Sequence, residues 1–239
     1  MGMLAIACNA GAPRDFSGYP TPESIFDAAM AAYRTGDCDF AEQAFARVQA
    51  DYPARDGKQA EARFYIAECR LQRNLRLEAA RLFRRVTDEF PRHPLAPDAL
   101  LRAGDAYSEM WSKADLDPTY GETALATYQE LLQRFRGAPA ANRARLRIAD
   151  LNEMLARKEY RNGVFYMRLR AFDSAIIYFK DVVATYPQSS FAPKAVARLV
   201  EAYHRIGYVE EKANMCQYLT RYYPEDAGIE LCSSTVGNR

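Results

Sequence analysis

The stretch Ala175-Ile-Ile-Tyr-Phe179-Lys-Asp-Val-Val-Ala-Thr-Tyr186-Pro187 decides the fold, because its spacing recurs along the chain. An alanine is followed four residues later by an aromatic ring, and eight residues after that by proline. The same spacing occurs as Ala41–Phe45–Pro53 and Ala79–Phe83–Pro91, and Ala124–Tyr128 repeats it with Arg136-Gly137 in the proline position. Tyr52, Phe90 and Tyr186 stand directly before the proline, and Tyr223-Pro224 repeats that ending. Pro53 to Pro91 is 38 residues and Pro187 to Pro224 is 37, close to the period of tetratricopeptide helix pairs. A small residue on the second helix of a pair lets the first approach closely. The aromatic one turn later fills the space between pairs. Proline then halts the helix, because it lacks an amide hydrogen and clashes with the preceding turn.

Working outward, a tight turn is needed five positions before the alanine. Gly36 and Asn74 occupy it in the first two units and Gly207 in the last, all residues that tolerate positive φ. Lys212 and Cys216 replace the alanine and aromatic of the last unit, a degeneracy common in terminal repeats. Pro91 to Arg136 is 45 residues, so an insertion lies in Ser112–Thr119, between the helices of the third pair. Residues 140–169 hold no proline and one glycine, Gly163. They read as one helix of about 30 residues, some 45 Å long at 1.5 Å per residue. Thr21-Pro22-Glu23 should start the first helix, with a capping hydroxyl, a proline at the first helical position and an acid near the positive end. The expected fold is all-α, a tetratricopeptide-repeat superhelix of five helix pairs (about ten helices) over 22–224, followed by an unassigned tail at 225–239.

Lys and Arg number 32 and Asp and Glu 31, a net charge of +1, so no basic surplus points to nucleic acid. The two histidines, His93 and His204, lie in different repeats, and no phosphate-cradling glycine loop or serine nucleophile motif occurs. No catalytic residue, metal site or cofactor is expected. Asp115–Asp117 and Glu210-Glu211 read as solvated or, for the first pair, capping. The five cysteines contain no C-x-x-C, and form neither a zinc pattern nor a disulfide framework; Cys38 and Cys69 read as small apolar residues in helix packing. Cys8 differs. The short apolar run before it resembles the end of a bacterial lipoprotein signal, with 1–8 a partial signal and Cys8 the lipid acceptor. Ala5 stands where leucine is usual, and no basic segment precedes the run. Residues 9–21, rich in Ala, Gly and Pro, suggest a flexible spacer.

Several features occur together in one order: Cys8, the spacer, Pro22-Glu-Ser-Ile25-Phe26, five repeats, the Asp115-Leu-Asp117-Pro118 insertion, and the long stretch from Arg145 through Tyr160 to Phe165-Tyr166. Over residues 8 to 224 this resembles the outer-membrane assembly lipoproteins of the BamD (ComL, YfiO) family. The resemblance implies a non-enzymatic scaffold, lipid-anchored at the periplasmic face of the outer membrane within the β-barrel assembly machinery. It implies that the carboxy-terminal repeats dock a POTRA domain of BamA, beside other lipoproteins of that complex, and that the amino-terminal repeats meet the β-signal of unfolded barrel substrates. By repeat position, Tyr160, Tyr166, Tyr178 and Lys180 fall on the BamA side; the family often carries a basic residue where Tyr178 stands. Phe26, Met30, Tyr33, Phe64 and Glu68 fall on the substrate side. For each of these residues, inter-helix packing is the competing reading. Competing functions are a periplasmic repeat protein of the Tol-Pal kind, although no heptads precede Thr21, and a generic or carboxylate-clamp adaptor.

Overall fold

Thr21 opens the first helix by a reciprocal cap. Its hydroxyl accepts the Ser24 amide at 3.2 Å, the Ser24 hydroxyl accepts the Thr21 amide at 3.2 Å, and Pro22 fills the first helical position. The computed structural model describes residues 15–53, 56–225, 228 and 230–233; Cys8 and the proposed signal segment lie outside them. The helices are α1 Pro22–Thr35, α2 Cys38–Asp51, α3 Gly57–Gln72, α4 Arg76–Glu89, α5 Ala96–Ser108, α6 Thr119–Arg134, α7 Pro139–Arg168, α8 Phe172–Thr185, α9 Phe191–Ile206 and α10 Val209–Tyr222, with a single turn, α11, at Glu230–Ser233. No strand occurs among the described residues. The chain divides into two compact units, one up to Tyr107 and one from Ser108.

The recurrent residues do what their spacing predicts. Ala41, Phe45, Ala79, Phe83, Ala124, Tyr128, Ala175 and Phe179 are all fully buried. Tyr52, Phe90, Phe135, Tyr186 and Tyr223 are the residues at which each second helix stops, every amide reaching back to the carbonyl four residues earlier. Gly36, Asn74 and Gly207 adopt φ of 81°, 61° and 78° in the turns. The corresponding turn of the fourth pair is made by Arg170 at φ 59°, a residue type that gives no warning of left-handed backbone.

Two glycines explain themselves by what they admit. A Cβ on Gly163, near the carboxy-terminal end of α7, would stand 2.6 Å from Phe179 Cε1. The helix gives up about 1 kcal/mol of propensity there so that the repeat's aromatic ring can lie on its backbone. On α6, a Cβ on Gly121 would stand 2.1 Å from Trp111 Cε3, and Trp111 is 1% exposed. The insertion of the third pair is therefore anchored rather than loose. Lys158 of α7 donates to the Leu116 carbonyl at 3.0 Å, and Arg161 pairs with Asp115 at 2.6 Å. Asp117 accepts the Thr119 amide at 3.0 Å, a capping role, whereas Asp115 is engaged by α7 and not simply solvated.

Within the segment expected to be a spacer, Phe16 and Tyr19 set their rings edge-on to Phe40, at 5.8 and 6.3 Å. The reading of the cysteines needs correction. Cys216 and Cys232 form a disulfide with Cα atoms 5.7 Å apart, joining α10 to α11. Its partners belong to no framework of regular spacing, so cysteine counting does not find it. Cys38 and Cys69 are free and buried in the core between α1, α2 and α3, as expected of small apolar residues. Burial pushes the Cys69 thiol up, with a further contribution from its hydrogen bond with Cys38.

Candidate functional site

In the first unit the candidate residues lie on the first helices α1 and α3. Phe26 is 7% exposed, packed edge-on to Phe45 at 5.7 Å; Phe64 is 9% exposed, against Phe83 at 5.3 Å. Both belong to the core. Met30 and Tyr33 are half-buried at its margin. Tyr33 meets Tyr65 of α3 at 5.0 Å between ring centroids, and Tyr65 in turn lies 5.6 Å from Phe64. Glu68 is buried and accepts two hydrogen bonds from Arg102 of α5, at 2.6 and 2.7 Å. That bidentate fork fixes both side chains. Burial pushes the Tyr33 hydroxyl above its ordinary range, and the nearby Glu68 carboxylate adds to the effect. The structure thus brings Met30, Tyr33, Tyr65 and the Glu68–Arg102 pair together, with Phe26 and Phe64 behind them. Tyr65 and Arg102 are absent from the sequence-based set. Arg102 was findable, standing 34 residues after Glu68, close to one repeat on.

In the second unit, Tyr160 is packing. Its ring sits 5.6 Å from Phe179 and 5.4 Å from Phe191, joining α7, α8 and α9, and its hydroxyl accepts from Arg198 Nε at 3.5 Å. Tyr166 and Tyr178 form a parallel stack, 5.2 Å between centroids and 11° between planes. The hydrogen bond between them raises the pKa of the Tyr178 hydroxyl, with their mutual charge interaction next. Phe165 sets its edge against Tyr166 at 5.4 Å. It is 56% exposed, and Leu169, one turn on, is 60% exposed. Lys180 does not join this patch. Two residues along a helix is a rotation of about 200°, and its Nζ lies 5.8 Å from the Tyr203 ring of α9. Of the four residues expected on this side, the structure groups Tyr166 with Tyr178, and adds Phe165 and Leu169.

No metal-binding group of His, Cys, Asp or Glu is found among the described residues, and none of their helices is long and apolar enough to cross a membrane. A family profile described as YfiO, outer membrane lipoprotein, matches residues 20–219. The chain belongs to this family. It is similar to outer membrane protein assembly factor BamD of Caulobacter vibrioides, 34% identical over 137 residues that cover 57% of this chain and 45% of that one. It is also similar to the protein of the same name from Xylella fastidiosa, 25% identical over 234 residues, covering 93% of this chain and 80% of that one. The aligned stretch thus spans less than half the length of the Caulobacter relative. Among solved structures, Pseudomonas aeruginosa pilF is similar, with 13% identity, a TM-score of 0.43, and coverage of 90% of this chain and 82% of that one. At that overlap the fold rests on this chain's own helix pairing. The family match gives the Tol-Pal and co-chaperone alternatives no support.

Proposed function

We propose that the chain is a lipoprotein scaffold, anchored through Cys8 at the periplasmic face of the outer membrane, that works with BamA and other lipoproteins of its complex to assemble β-barrel proteins. The observation that carries this reading is the family match across residues 20–219, which includes nearly all of the five helix pairs. The Cys216–Cys232 disulfide supports it, because such bonds persist in oxidising compartments such as the periplasm.

A POTRA domain of BamA docks on the Tyr166–Tyr178 stack with Phe165 and Leu169 around it, since exposed aromatic and aliphatic groups clustered on one patch are what a partner buries. Tyr160 supports that patch from inside, and Lys180 lies outside it. An extended substrate strand runs along Met30, Tyr33 and Tyr65, where alternate side chains of a strand can find apolar contacts. Phe26 and Phe64 hold this surface from behind, and Glu68 acts through Arg102.

The test is a pull-down of the full chain with the periplasmic domains of BamA. Tyr166→Ala with Tyr178→Ala should weaken binding about tenfold or more, the scale of losing hot-spot contacts of about 2 kcal/mol, with helicity unchanged. Tyr33→Ala with Tyr65→Ala should leave BamA binding intact and weaken capture of a barrel-terminal peptide. A wild-type chain that captures no BamA domain contradicts the reading. Equal binding by all three proteins contradicts the assignment of faces.

A further inference from the structure

A cleft of about 620 Å³ opens within the second unit between the end of α7, the start of α8 and the exposed stripe of α9. That volume lies within the range of about 300–1,000 Å³ usual for ligand sites. Four arginines line it: Arg168 and Arg170 from the α7–α8 corner, and Arg198 and Arg205 from α9. One carboxylate faces them. Glu201 takes Arg198 at 2.6 Å and reaches Arg205 only at 4.0 Å. Arg168 and Arg170 have no ion-pair partner among the described residues. The lining therefore carries a marked positive excess in a chain whose overall charge is +1. Val164, Met167 and Phe172 supply an apolar wall.

A second observation concerns Arg170. It holds left-handed backbone, φ 59°, in a turn whose counterparts carry Gly36, Asn74 and Gly207. Left-handed backbone costs a residue with a Cβ about 1 kcal/mol, and glycine would relieve it. An arginine kept at such a position points to a use for its side chain, and strain of this kind gathers at binding sites. The use is indicated by the cleft that Arg170 lines together with three other arginines.

We propose that this cleft binds an acidic peptide segment of a protein partner, its carboxylates taken by Arg168, Arg170, Arg198 and Arg205 and an apolar side chain resting on Val164, Met167 and Phe172. Guanidinium forks match carboxylates in two-point geometry. A bare anion would leave the apolar wall uncovered, whereas a peptide with an aromatic or aliphatic residue between its acids covers both surfaces. The inference rests on the cleft alone and does not depend on the barrel-assembly reading.

The experiment is calorimetric titration of the full chain, without any BamA domain, with a blocked pentapeptide of four acidic residues around a central phenylalanine. Its amide analogue (Gln and Asn for Glu and Asp), inorganic phosphate and phosphatidylglycerol vesicles are run beside it. The acidic peptide should bind saturably and the amide analogue at least tenfold more weakly. Arg198→Gln with Arg205→Gln should weaken the acidic peptide about tenfold, as should Arg168→Gln with Arg170→Gln. Glu201→Gln, which removes the competing carboxylate, should bind it severalfold more tightly. Arg84→Gln with Arg85→Gln on α4 should change nothing. Equal affinity for both peptides, indifference to the four arginines, or binding of phosphate or vesicles without binding of the acidic peptide would overturn the proposal.

Discussion

The two units are built from the same helix pair, yet they balance their charges differently. In the first unit the ionised groups near the core are matched between neighbouring helices. Glu68 is forked by Arg102, Arg63 meets Glu89, and Glu42 is reached by Arg70 at 2.6 Å and Arg73 at 3.6 Å. In the second, Glu201 alone answers the four arginines of the α7–α9 cleft, and Phe165 and Leu169 stand exposed on α7. Pairs that bridge helices fix the helices. Groups left over are available to something else. The difference separates residues whose loss should unfold the chain from residues whose loss should only weaken binding.

The largest contrast should come from one substitution made twice. Arg102→Ala strands the buried Glu68 carboxylate and should cost about 2–3 kcal/mol, as for loss of a charged hydrogen-bond partner. Arg198→Ala, on the exposed stripe of α9, should stay within about 0.5 kcal/mol. Urea denaturation of both variants checks this, and similar losses would erase the distinction between the units. Next come the turns. Gly207→Ala forces a Cβ into left-handed backbone and should destabilise by about 1 kcal/mol. Arg170→Gly should instead raise the urea midpoint slightly, relieving strain by about 0.5 kcal/mol after the extra freedom of the unfolded chain is counted, while weakening the acidic peptide.

The smallest effect is a titration. The Tyr52 hydroxyl donates to Glu23 at 2.7 Å, tying the end of α2 to the start of α1, and this contact pushes its pKa up to about 12 and lowers that of Glu23. With the tyrosine pKa raised on folding, its contribution is fully present below pH 10 and is lost as pH climbs through about 12. With the glutamate pKa depressed on folding, its share is present above 4.5 and is lost as pH falls through the lowered value. A spectrophotometric titration should show a late tyrosinate component that loses one tyrosine's amplitude in Tyr52→Phe.

What could be read ahead of the structure was what short-range spacing dictates. The buried Ala and aromatic positions, the Gly36, Asn74 and Gly207 turns, and a helix expected at 140–169 and found at Pro139–Arg168 all follow from residues within one repeat. Arg170 could not be read, because its residue type argues against the conformation it holds. The Cys216–Cys232 bond joins the repeats to a tail without periodicity. Phe16 and Tyr19 were the two signals of contact with Phe40, hidden in a stretch whose composition otherwise suggests a spacer. The candidate sites fared unevenly for a geometrical reason. A first helix packs both on its partner and on the next pair, so its apolar residues nearly encircle it. Periodicity then does not separate Phe26, in the core, from Met30 at its margin. Tyr160 and Tyr166 stand six residues apart, about 240° around α7, which explains why one is packing and the other joins the stack.

Hydrogen–deuterium exchange of the full chain, with and without the periplasmic domains of BamA, tests the central claim most directly. The account predicts slowed exchange around residues 160–180, centred on the Tyr166–Tyr178 stack, with residues 57–105 unaffected. Protection confined to the first unit, or none at saturating partner, would contradict it.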